Sequence, residues 1–130
     1  MITKMPGPPG KVRVTFALPS AIWADTIYLV GDFNHWDNHA TPMRQTETGW
    51  MVTLELDAGC SFQYRYLHNG SEWHNDWNAD GYESNAFGGD NSVVMTPDFE
   101  HDAQQIEMAE READHVLSFS QPKMRLARSN

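Results

Sequence analysis

Two tryptophans sit in polar company that leaves their rings free for chemistry. Trp36 closes the run Ile27-Tyr28-Leu29-Val30-Gly31-Asp32-Phe33-Asn34-His35-Trp36, and Trp73 closes Phe62-Gln63-Tyr64-Arg65-Tyr66-Leu67-His68-Asn69-Gly70-Ser71-Glu72-Trp73. A lone Trp is more often a partly buried core residue than a platform, but Asp32, Asn34, His35 and Asp37 are poor company for burial, so Trp36 is expected to face solvent. Exposed indoles suit sugars. The axial C–H face of a pyranose is apolar and stacks on a π face, while its rim of hydroxyls needs amides and charged donors; each such stack contributes on the order of 1 kcal/mol beyond area burial. Arg65 points opposite to Tyr64 and Tyr66 and offers a fork of donors for vicinal hydroxyls, with a surface ion pair as the equal alternative. Asn91 brings donor and acceptor together, its alternative being a turn-forming role after Gly88-Gly89-Asp90.

The other reactive types read as structural or solvated. Asp76, Asp80 and Asp90 do not form an EF-hand array, and nothing supplies the cleft and raised pKa that a glycosidase pair needs. His35, His39, His68 and His74 lack zinc-ligand spacing, Cys60 reads as a small hydrophobe, and there is no phosphate-binding glycine loop. No metal, no cofactor and no catalytic residue are therefore expected. Of the five Trp, Trp23 and Trp50 are expected to be core or cover for an open end of the fold, and Trp77 stays unassigned.

Short strands must position these residues. Val12, Val14, Phe16 and Leu18 alternate with Arg13, Thr15 and Ala17 and stop at Pro19, the period-two pattern of a half-buried strand. Thr26 to Gly31, Trp50 to Leu56, Phe62 to His68 and Ser92 to Met95 read the same way, and Asn69-Gly70 predicts a hairpin into Glu72-Trp73. Six or so short strands with regular turn signals predict an antiparallel β-sandwich over 11–97. Residues 1–10, with three of the seven Pro, are expected to be a flexible lead-in. After Pro97, Asp98 can cap an amphipathic helix over 98–118, with Phe99, Ala103, Ile106, Ala113 and Leu117 at helical spacing; 119–130 is expected to be a basic disordered tail. The helix must dock on its own sandwich, on a protein partner or on a second copy.

Composition narrows the classes. A chain of 130 residues fits one domain and is too short for a (β/α)₈ barrel of about 250 residues. The net charge of −9 repels a phosphate backbone, so nucleic acid is not expected. The single Cys60 makes no internal disulfide and the first ten residues hold no long apolar stretch, so the expected compartment is the cytoplasm, with no membrane partner.

The signatures Gly-x-Phe-Asn-x-Trp at 31–36 and Gln-Tyr-Arg-Tyr at 63–66, followed by Asn69-Gly70 and Trp73, resemble those of glycogen-binding domains in carbohydrate-binding module family 48. That family includes the β-subunit module of AMP-activated protein kinase and the N-terminal domains of branching and debranching enzymes. The resemblance covers about residues 10–97 and implies an immunoglobulin-like early-set sandwich that binds α-1,4-glucan. It would place two clasping indoles on Trp36 and Trp73, the basic residue between them on Arg65, and the Asn near the last strand on Asn91. The chain departs from the kinase-type pattern at Asp76-Trp77, which stands for Asp-Pro, and at Phe87, a weaker contact where those modules carry an aliphatic residue. Gly89 replaces a hydroxyl side chain, and the helix from Asp98 onward has no counterpart. The leading expectation is a stand-alone, non-catalytic glucan-binding module that targets an attached partner. The alternative is an adaptor that has lost glucan binding and assembles through its helix.

Overall fold

The computed structural model describes residues 1–99, of which Met1–Pro97 form one compact unit. Among the described residues it contains nine strands: β1 (Ile2–Pro6), β2 (Lys11–Pro19), β3 (Ile27–Gly31), β4 (Arg44–Thr46), β5 (Gly49–Asp57), β6 (Ser61–His68), β7 (Glu72–His74), β8 (Gly81–Ser84) and β9 (Asp90–Met95). All pairings are antiparallel. One sheet runs β1-β2-β5-β4 and the other β3-β6-β9-β8, with β7 beside the C-terminal half of β6. The fold is all-β, and the two sheets share one core.

Alternation in the sequence becomes the two faces of each sheet. Val12, Val14 and Phe16 of β2 are buried and face Tyr64 and Tyr66 of β6, also fully buried, with Leu29 and Val94 beside them. The Phe16 ring meets Tyr64 edge-on, with centroids 5.1 Å apart, which joins the sheets. Each such side chain stabilises the fold by about 1.5–3 kcal/mol relative to exposure. Trp50 is buried as expected, its indole N–H donating to the Ile22 carbonyl at 3.4 Å.

Several expectations need correction. Residues 1–10 are not a loose lead-in, because Ile2–Pro6 pairs with β2 from Ile2↔Phe16 to Pro6↔Val12. Pro6 is tolerated at the end of an edge strand, and the prolines that follow shape the turn, where the Lys11 N–H donates to the Pro8 carbonyl at 2.8 Å. The short, polar edge strands β4 and β8 carry no alternating signal and were not expected. Trp23 covers nothing: it is 96% exposed, because Ile22 takes the inward position. Cys60 is exposed as well, in the turn before β6. The expected helix and basic tail lie, from residue 100 on, outside the described residues, and with them the partner or homodimer expected of that helix.

Candidate functional site

The loop that carries Trp36 is built by its own motif. Gly31 ends β3 directly against β6, where a Cβ would come within 2.4 Å of the Gln63 carbonyl oxygen, so close approach is what requires glycine. A short 3₁₀ turn over Asp32–Asn34 follows. Asn34 ties the turn down: its Oδ1 accepts from the Gly31 N–H at 3.0 Å, and its Nδ2 donates to the Leu29 carbonyl at 2.9 Å and to Thr41 Oγ1 at 3.0 Å. Phe33 packs on Phe16, Phe62 and Tyr64. His35 and Trp36 both take left-handed backbone, φ 58°, a cost offset by the Trp36 N–H bonding the Gly31 carbonyl at 2.9 Å. Asp32 then clamps the indole, accepting from Trp36 Nε1 at 2.8 Å and from the Gln63 N–H at 2.7 Å. Trp36 is thereby half-buried in a fixed pose.

Trp73 arrives by the Asn69-Gly70 hairpin. Both turn residues have positive φ, 52° and 75°, as a two-residue turn of this type requires. Asn69 Oδ1 accepts from the Asp25 N–H at 2.7 Å, anchoring the turn. Trp73 lies opposite Leu67 on the outer face of the sheet and is 38% exposed. The Arg65 guanidinium stands 6.0 Å from the Trp73 ring centroid, a cation–π contact of about 0.5–1 kcal/mol. No carboxylate pairs with Arg65 among the described residues, and its buried Nε has no hydrogen-bond partner there.

An amide row completes the face. Asn91 Nδ2 donates to Gln63 Oε1 at 3.0 Å, and its Oδ1 accepts from Asn85 Nδ2 at 3.2 Å. Asn85 also organises the loop before β9, its Oδ1 accepting from the Phe87 N–H at 2.9 Å and the Gly89 N–H at 3.1 Å. That loop presents Phe87, 96% exposed, at its tip. Trp36, Arg65, Trp73, Asn85, Phe87 and Asn91 together line one open groove of about 410 Å³. Five of these are the residues singled out from the sequence. Asn85 was missed; the only signal was an Asn ahead of a Gly-rich turn, which reads as turn chemistry.

The inner side of β6 fixes this face from beneath. Asp76 is buried at 3% exposure and accepts from the hydroxyls of Tyr64 and Tyr66, each at 2.9 Å, and from the Asn78 N–H at 2.9 Å. Its own N–H donates to Ser92 Oγ at 2.8 Å. Burial, reinforced by neighbouring Tyr66 and Asp76, pushes the Tyr64 phenol far up, and burial with Asp76 does the same to Tyr66, so both remain donors. Nearby, His68 stacks on His74 with centroids 4.1 Å apart, and burial followed by His74 lowers its pKa below 6.5 against an opposing pull from Glu72. Among the described residues no cluster of His, Cys, Asp or Glu could hold a metal ion, and no helix is long and apolar enough to cross a membrane.

Comparison with known proteins adds a family. The family model described as carbohydrate-binding module 48 (isoamylase N-terminal domain) matches residues 8–83. The 1,4-alpha-glucan branching enzyme GlgB of Aquifex aeolicus (strain VF5) is 43% identical over 63 residues, covering 45% of this chain. The matched stretch spans 10% of that enzyme's length. The family match takes in Trp36, Arg65 and Trp73 and ends before Asn85, Phe87 and Asn91.

Proposed function

The chain belongs to the carbohydrate-binding module 48 family, and on that premise we propose that it is a non-catalytic module binding an α-1,4-glucan of the glycogen or starch type. Trp36 and Trp73 stack on sugar faces, Arg65 and Asn91 bond hydroxyls, and Phe87 touches the chain from the loop tip. The observation that carries this reading is the groove itself: two indoles line it together with an arginine whose donors have no hydrogen-bond or ion-pair partner among the described residues. A neutral ligand suits a chain of net charge −9, and the branching enzyme it resembles names the polymer class. Trp73 is exposed enough to stack without rearrangement, and the Asp32 clamp holds Trp36 ready, so little ordering opposes binding. On the same reading the fold is the early-set, immunoglobulin-like sandwich, the compartment is the cytoplasm, and a protein joined through 98–118 would be carried to the polysaccharide.

Titration with maltoheptaose is expected to change the tryptophan fluorescence saturably, while cellohexaose at the same concentration leaves it unchanged. An emission spectrum unmoved by millimolar maltoheptaose would contradict the proposal.

A further inference from the structure

We infer that the module carries a second α-glucan contact across β7 from the first, centred on the exposed indole of Trp77. This rests on the glucan reading above. A cavity of about 320 Å³ opens between the end of β2 and the segment following β7, with Leu18, Ile22, His74, Trp77 and Asn78 in its lining. It shares no residue with the first groove. β7 is the partition: Trp73 and His74 are successive strand residues, so their side chains leave on opposite faces, Trp73 to one groove and His74 to the other.

Trp77 is 84% exposed although its neighbours are held firmly. Asp76 is buried on the two tyrosine hydroxyls and on Ser92, and the Asn78 N–H bonds back to Asp76 at 2.9 Å. The indole is therefore presented by an ordered loop, and a ligand stacking on it meets a preorganised platform. Around it the side-chain amide of Asn78, which makes no hydrogen bond among the described residues, and the His74 imidazole offer donors and acceptors for hydroxyls.

Charge selects the same ligand class. Among the described residues no Lys or Arg lines the cavity, the Met1 ammonium at its edge is engaged by the Ala17 carbonyl at 2.6 Å, and the Asp76 carboxylate is already engaged by three donors, so neither an anion nor a cation is favoured. A neutral ring with one apolar face and a hydroxyl rim matches what remains. A polysaccharide repeats that ring along its length, so two weak contacts on one module act together on a long chain, the second forming as an intramolecular event.

The test follows the indole N–H signals of the full chain, assigned by single Trp→Phe substitutions, as maltoheptaose is added. The Trp77 signal is expected to shift saturably both in the unsubstituted protein and in the Trp36→Ala/Trp73→Ala double variant. Trp77→Ala is expected to weaken binding to glycogen roughly fivefold, with an unchanged melting temperature and the Trp36 and Trp73 signals still responsive. A Trp77 signal that stays still while those of Trp36 or Trp73 move overturns this inference and leaves the groove reading standing. If no indole signal moves, both fall.

Discussion

The outer faces of the two sheets use their basic residues in opposite ways. On the β2-β5 pair, Lys11 stands opposite Asp57, Arg13 opposite Glu55 and Thr15 opposite Thr53, and each pair closes on itself by an ion pair or hydrogen bond. On the other sheet Arg65 stands opposite Val30, and its guanidinium lies over Trp73 instead of on a carboxylate. The chain holds 18 acidic residues against 9 basic ones, so carboxylates are not scarce. A face whose charges cancel across the strands has little to offer a ligand, whereas donors left unspent beside two indoles do, and this contrast supports the proposed binding side of the sandwich.

Breaking the support beneath the open face should have the largest effect. Asp76→Ala leaves the buried hydroxyls of Tyr64 and Tyr66 without their acceptor and is expected to lower the unfolding free energy by about 2–5 kcal/mol in urea titrations. Arg65→Met removes the unspent donors while keeping much of the stacking bulk. It should weaken maltoheptaose binding about tenfold by calorimetry, with stability lowered by no more than about 1 kcal/mol, the range of the cation–π contact with Trp73 that is lost. The same substitution on the closed face, Arg13→Met, should leave glucan affinity unchanged and alter stability by no more than about 1 kcal/mol, the range of an exposed pair.

The smallest expected effect is a pH dependence from His68. Its pKa in the fold lies below the ordinary 6.5, so the unfolded chain binds the extra proton first. The contribution to stability is therefore full above about pH 6.5 and is lost as pH falls through the depressed folded value. Melting temperature should decline on acidification from pH 7.5, and His68→Gln should flatten that slope.

What the sequence disclosed follows from which residues signal their environment locally. Strands β2, β5 and β6 alternate because one face is buried, and the Asn69-Gly70 turn announces β7, so the elements holding Arg65 and Trp73 could be read directly. β1, β4 and β8 lie at sheet edges with little buried surface, and their pairing is set by neighbours far away in the chain. Within the groove the aromatics and Arg65 stood out by type. Asn85 did not, because its role comes from bridging Asn91 and the loop backbone, a matter of tertiary register. Trp23 shows the reverse error: a large apolar ring beside Ile22 suggests cover, yet only one of two successive residues can turn inward.

Sedimentation with insoluble granular starch, beside cellulose, tests the binding face most directly. The unsubstituted chain should pellet with starch and stay in solution with cellulose, and the folded Trp36→Ala/Trp73→Ala variant should lose most of its starch binding, at least tenfold in apparent affinity. A double variant that pellets with starch as fully as the original chain would contradict the assignment of the groove.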